Sequence, residues 1–167
     1  MAELNSLKRS LTFQKGGKMP DNATEKLRRI KEEKRLQRMK ERLRKIYAVV
    51  NPAAYGFFVV KEKNKTAGHL MLFVDARSGE PAFDRRFKIA FSFSKNGVAA
   101  VSDGRKMFYI NKTGHPIFGT NFNYAGPFND KTDAALARIS QNYFSLTIEN
   151  NKLVISPRER TKPSTSS

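Results

Sequence analysis

The sequence predicts an α+β protein: a long basic N-terminal helix, then a curved antiparallel β-meander sheet with a C-terminal helix and a final hairpin. Three observations carry that prediction. Residues 22–50 contain neither glycine nor proline. From Tyr55 onward the apolar period changes to the two-residue alternation of strands. Aromatic residues and charge also separate along the chain: of 18 Phe and Tyr, only Phe13 and Tyr47 lie outside 51–156, whereas residues 1–50 hold 15 Lys or Arg against 6 Asp or Glu. The organisation read from this is a mobile basic tail over 1–20, a basic amphipathic helix over 21–50, an aromatic-rich body over 51–156 and a disordered tail over 157–167. No internal repeat is apparent.

Each element has a local reason. Leu4, Leu7 and Leu11 have a short apolar spacing before the breaker-rich QKGGKMP, and a helix of that length is unstable alone in water. The Ser, Leu and basic content of this tail is also that of an organelle presequence. In the next segment Asn22 and Glu25 stand at capping-box spacing, and Asn51-Pro52 marks the end. At about 1.5 Å per residue the helix between them is roughly 40 Å long. Leu36, Met39, Leu43, Ile46 and Val50 step along it in a coiled-coil-like seam. One heptad earlier the seam meets Arg29 and Glu32 and stops. The second half is therefore expected to pack on something. The first half, with Arg28, Arg29, Lys31, Lys34, Arg35 and Arg38, is left for solvent or a phosphate backbone.

GFFVVKEK and HLMLFVD flank the turn NKTAG as a hairpin. RRFKIAFSFS alternates, which puts Phe87, Ile89, Phe91 and Phe93 on one face and Arg86 and Lys88 on the other. Asn96-Gly97 is a turn signal leading to VAAV, and SDGR turns into KMFYI. A strand is expected around Ile117–Tyr124, with Phe118, Phe122 and Tyr124 sharing a face. Asp130 to Phe144 reads as a helix, and SLTIEN-NK-LVIS as the last hairpin.

Composition bounds the chemistry. The chain has 167 residues, 32 Lys and Arg against 15 Asp and Glu, a net charge of +17 and no cysteine. A disulfide framework, thiol catalysis and Cys-ligated zinc are excluded. With only His69 and His115, so is a multi-histidine metal site. No apolar run approaches the roughly 18 to 20 residues of a membrane span. The expectation is a protein of a reducing compartment, cytoplasmic or nucleoid-associated, with organelle import left open, no membrane contact and polyanionic partners.

An enzymatic reading finds little support. Asp75, Glu80 and Asp84 precede Arg85, Arg86 and Lys88, but their spacing matches no metal-dependent nuclease pattern. His115 has no second group placed for it. Gly16-Gly17-Lys18 lacks the hydroxyl residue and helix start of a phosphate loop. No catalytic residue, metal or cofactor is expected.

Binding has both of its physical requirements: cations to track phosphates and aromatic faces to stack bases. The candidate stackers are Phe108, Tyr109, Phe118, Phe122, Tyr124 and Phe128; for the last four a core role is equally open. The candidate phosphate contacts on the sheet are Lys61, Lys63, Arg85, Arg86, Lys88, Arg105 and Lys106. The expected function is non-enzymatic binding of single-stranded RNA or DNA. The alternative is a structural protein whose seam Leu36–Val50 forms a homodimer or docks on a polymerase, ribosome or other nucleoprotein machine. Over Tyr55–Phe144 the order of elements, a meander followed by a helix, resembles the plan of the Pur-alpha and Whirly single-strand binders. Small basic ribosomal or phage-encoded accessory proteins resemble the charged-arm-plus-sheet design equally well.

Overall fold

A computed structural model describes residues 21–63 and 68–158. The apolar spacing of Leu4–Leu11, the NKTAG turn tip and the tail beyond Arg158 lie outside the described residues. Among the described residues the fold is α+β, with one helix and antiparallel sheets. The chain divides into two compact units, residues up to Gln37 and residues from Arg38, with the boundary inside the helix.

The helix α1 runs Asp21–Ile46. Asn22 lies within it, and the Glu25 carboxylate is bound by the Arg28 and Arg29 guanidiniums. The helix also ends earlier than Asn51-Pro52 suggests. Tyr47 N–H donates to the Leu43 carbonyl, then Ala48 N–H turns to Lys61, and β-branched Val49 and Val50 become the strand β1 (Val49–Val50). Lys63 Nζ closes the helix end by donating to the Lys45 carbonyl at 2.6 Å. A cation there satisfies a terminal carbonyl and opposes the negative end of the helix dipole.

In the second unit β1 pairs with β2 (Phe57–Lys61) and β2 with β3 (Met71–Asp75) in the first sheet. The central sheet has the order β4 (Ile89–Ala90), β5 (Val98–Ser102), β6 (Met107–Asn111), β7 (Pro116–Phe122). The third has the order β11 (Lys152–Pro157), β10 (Asn142–Glu149), β9 (Ala134–Ile139), β8 (Tyr124–Ala125). All pairings are antiparallel.

The central sheet is buried on both faces, which is why VAAV and MFYI read as unbroken apolar runs. Val98, Ala100, Met107 and Tyr109 point into one core, closed by Ala125, Phe128, Ala135, Ala137 and Leu146 on the third-sheet side. Ala99, Val101, Phe108 and Ile110 point into a second core with Val59, Phe73, Phe87 and Phe93. The opposite face of the first sheet buries Phe58, Val60, Leu72 and Val74, and Met39, Leu43, Val50 and Ala76 are also buried in this unit. Every buried side-chain nitrogen or oxygen among the described residues has a partner.

Three expectations are corrected. No C-terminal helix forms: residues 134–139 and 142–149 are β9 and β10, joined at Ser140, whose φ is +53°. Leu136, Ala137 and Ile139 mimic a helical stripe, but β9 is taken into a sheet because Ala135 and Ala137 fill the core beside Leu146. The resemblance in element order to the Pur-alpha and Whirly plan lapses with that helix. Secondly, RRFKIAFSFS does not present one aromatic face. Phe87 exchanges both backbone hydrogen bonds with Met71, while Lys88 N–H donates to Ser102, so the segment crosses from the first sheet to the central one. Phe87 and Phe93 enter one core, Phe91 packs against the other, and Ile89 stays 44% exposed. Nor do Phe118, Phe122 and Tyr124 share a face, because Phe118 and Gly119 adopt φ of +67° and +62° and Phe122 alone is buried.

The hydrogen bonds also reveal an internal repeat that the sequence reading missed. Residues 71–102 and 107–138 form the same unit twice. Gly79 N–H donates to Asp75, as Gly114 does to Asn111; Lys88 to Ser102, as Asn123 to Arg138; Phe91 to Ala100, as Gly126 to Leu136; Gly97 to Ser94, as Asp133 to Asn129. The Asp75 carboxylate accepts the Arg77 and Ser78 N–H groups, and the Asn111 amide oxygen accepts those of Thr113 and His115. Pro81/Pro116, Phe87/Phe122, Ala90/Ala125 and Phe93/Phe128 are the matching sequence positions. The copies are clasped by Asp130, which accepts the Lys95 N–H at 2.9 Å, and by the ion pair Lys95–Asp133 at 2.9 Å; Asp130 also accepts the hydroxyl of Tyr55, ahead of the first copy, at 2.6 Å.

Candidate nucleic-acid interface

In the first unit the helix presents two kinds of cation. Arg28 and Arg29 pair with Glu25, and Arg35 pairs with Glu32. The Arg28 hydrogen bond holds the Glu25 carboxyl below its usual range, and Glu25 in turn raises the guanidinium of Arg28. Lys31 and Lys34 are exposed and, among the described residues, form no ion pair. In the second unit Arg38 is likewise exposed.

The seam is not available to a second copy as anticipated. Met39, Leu43 and Val50 are buried by their own chain, and Leu36 is half-buried; Ile46 alone is well exposed, at 61%. The Met39 sulfur sits over Gly79, 2.7 Å from where a Cβ would stand. The apolar spacing is real, but it serves the fold.

The sheet cations separate in the same way. Lys63 caps the helix and Lys61 is half-buried. Arg85 donates to the Gly114 carbonyl at 2.8 Å, with its guanidinium carbon 5.5 Å from the Phe87 ring centre and 6.0 Å from that of Phe108. Arg86 pairs with Glu62 at 2.7 Å and reaches Asp84 at 3.6 Å. The remaining three gather at the β5–β6 turn. Asp103 fixes this turn by accepting the N–H groups of Arg105 and Lys106, which hold its carboxyl below the usual range. Lys88 packs its stem against Gly104, and all three cationic side chains are exposed.

Of the six proposed stackers, four are core. Phe108, Tyr109, Phe122 and Phe128 are buried, because β6 is covered on both faces and β7 and the Phe128 loop close one of its cores. Tyr109 donates to the Gly126 carbonyl at 2.8 Å, and burial pushes its phenol well above the ordinary value. Phe118 is half-buried and lines a cleft of about 390 Å³ with Asn96, Asn111, Ile117, Ile148 and Asn151. Tyr124 is exposed.

The acidic cluster is occupied with structure. Asp75 accepts from the Ser78 and Arg77 N–H groups, which lower its pKa. His115 Nδ1 lies 2.9 Å from the Thr113 hydroxyl. Among the described residues, no three His, Asp or Glu side chains come together as a metal site, and no helix is long and apolar enough to cross a membrane.

Three exposed residues were missed because their segment was read as helix or tail: Arg138, Tyr143 and Arg158. The signal was present in the alternation of Phe144, Leu146 and Ile148, which extends backward to place Tyr143 outward. Comparison with protein-family models, curated proteins and solved structures finds no match to this chain.

Proposed function

We propose that the protein is a non-enzymatic nucleic-acid-binding protein that prefers single-stranded RNA or DNA. The observation that carries this reading is the charge balance. Fifteen carboxylates stand against 32 Lys and Arg, so most of the cations have no carboxylate to neutralise them. Lys31, Lys34 and Arg38 on the helix, and Lys88, Arg105 and Lys106 at the β5–β6 turn, are exposed. Such cations attract a polyanion and release its counterions on contact, which makes affinity fall steeply with salt. The preference for single strands rests on aromatic side chains being exposed on the same protein. The dimerising alternative loses its support, since the apolar seam is largely spent inside the chain.

The test is fluorescence-polarisation titration of the full chain with single-stranded RNA, single-stranded DNA and duplex DNA of equal length, across a salt series. The expected result is a steep salt dependence for all three, with single strands retained at salt concentrations that release the duplex. Equal binding of all three that vanishes at one common salt concentration would overturn the single-strand reading.

A further inference from the structure

The register of the third sheet places four exposed side chains in one transverse row. Tyr124 lies opposite Arg138, and Arg138 lies opposite Tyr143. The Arg158 N–H donates to the Tyr143 carbonyl at 3.1 Å, continuing the register in which Phe144 faces Pro157. Directly opposed residues share a face, with Cα atoms roughly 4.5–5.5 Å apart. The row therefore alternates aromatic and cationic across four neighbouring chain segments. Its face points away from the core, into which Ala125, Ala137 and Leu146 project. Tyr124 is 37% and Tyr143 44% exposed. The Tyr124 hydroxyl lies 3.3 Å from where a Cβ on Gly126 would stand, so the ring lies along the sheet with no side chain at that position beneath it. Tyr143 and Arg158 also line a cleft of about 280 Å³ together with Asn142, Phe144 and Pro157.

We propose that this row is a base-stacking site for single-stranded nucleic acid. Tyr124 and Tyr143 present faces to two bases, and Arg138 and Arg158 hold the phosphates between and beyond them. The two rings are two strand spacings apart, roughly 10 Å, a distance that leaves room for the intervening guanidinium. The inference rests on the nucleic-acid reading above and assigns it a location that the charge balance alone does not give. Stacking is tolerant of sequence, because every base offers a π-face, so the site selects strandedness rather than sequence.

The experiment compares the full-length wild type with Tyr124→Leu/Tyr143→Leu and Tyr124→Phe/Tyr143→Phe. The probes are an oligothymidylate and an abasic oligonucleotide with the same number of phosphates. Leucine keeps an apolar strand residue without a ring, and circular dichroism with thermal melting verifies that each variant folds. The double leucine variant is expected to lose roughly tenfold or more in oligothymidylate affinity per tyrosine, while the phenylalanine variant retains it. Abasic binding is expected to be unchanged in both. The chain contains no tryptophan, so quenching of tyrosine fluorescence by the oligothymidylate and not by the abasic strand is the second expected signal. Unchanged oligothymidylate affinity in a folded leucine variant, with the wild type binding it well, overturns the stacking row and leaves the nucleic-acid reading standing. Failure of the wild type to bind either probe overturns both.

Discussion

The two copies of the repeat share their backbone hydrogen bonds and differ in what covers them. The row that starts in the first copy at Ile89 and Ser102 and continues into the second at Met107 and Phe122 ends up mostly inside. Ser102, Met107 and Phe122 are buried, and the Ala125 N–H donates to the Met107 sulfur at 3.3 Å. The equivalent row starts in the second copy at Tyr124 and Arg138 and continues beyond it at Tyr143 and Arg158, and all four are exposed. A repeat position thus takes its chemistry from its layer: mostly apolar where another sheet follows, cationic and aromatic where none does. Terminal repeats of stacked arrays need an outer face that tolerates water, and two arginines meet that need. The two exposed tyrosines exceed it.

The sharpest way to break this comparison is to truncate one aromatic ring from each layer. Phe108→Ala empties a position between the central and first sheets and is expected to cost about 3–5 kcal/mol in a urea unfolding series. Tyr143→Ala removes an exposed ring and is expected to cost about 1 kcal/mol or less. If Phe108→Ala were as stable as the wild type, the two-faced burial of β6 would be wrong.

The equivalent glycines come next. Gly79 and Gly114 have φ of +78° and +81°, and a Cβ at either would collide at 2.7 Å, with the Met39 sulfur and the Phe83 ring respectively. Alanine is strained at both positions, by about 1–3 kcal/mol. Gly114→Ala is expected to be the worse, because a thioether repacks more easily than a ring held between neighbours. Urea midpoints in the opposite order would show that the Met39 contact is the stiffer of the two.

Smaller again is Tyr109→Phe. It removes the hydroxyl that satisfies the Gly126 carbonyl and leaves the ring in place. About 1–2 kcal/mol is the expected loss, that of an unmade buried hydrogen bond. No loss in thermal melting would mean that water or another donor reaches that carbonyl.

Much of the fold was legible in the sequence, for physical reasons. Strands announced themselves where period and turn chemistry agreed. Asn96-Gly97 and Asp103-Gly104 turn as expected, with Gly97 and Gly104 at φ of +74° and +100°. The final hairpin formed too, turning at Asn150 and Asn151, one residue before its expected place. What failed was any inference that needed to know what lies on the second face of a strand. MFYI carries no mark separating a ring that stacks a base from one that fills a core, and three stacked sheets settle that only through long-range packing. Alanine caused the other failure. In AALARI it satisfies a helical stripe as well as a strand, and only the pairing with β10 decides between them. The repeat escaped because its copies are matched by turn geometry more than by residue identity: Asp75 and Asn111 accept turn N–H groups through the same side-chain oxygen of two residue types, and Gly104 and Ser140 share only a positive φ.

The smallest expected effect probes the clasp between the copies. Asp130 occupies in the second copy the place that Lys95 occupies in the first, and its carboxylate accepts the Lys95 N–H. The Tyr55 hydroxyl first, and the Lys95 N–H second, hold the Asp130 carboxyl below its ordinary value. A carboxyl whose folded-state pKa is depressed adds stability above its unfolded pKa and loses it as pH falls through the folded one. Asp130→Asn offers one accepting oxygen in place of two and no charge. It is expected to lower the melting temperature slightly at neutral pH, with the gap from wild type closing as pH drops below the ordinary carboxylate range. Because the group is exposed, salt screening keeps the effect small. A gap that stayed constant into strong acid would assign the clasp to the shape of the side chain. A gap that closes assigns it to charge, and the two copies would then be joined by an acid-sensitive contact on top of an acid-indifferent core.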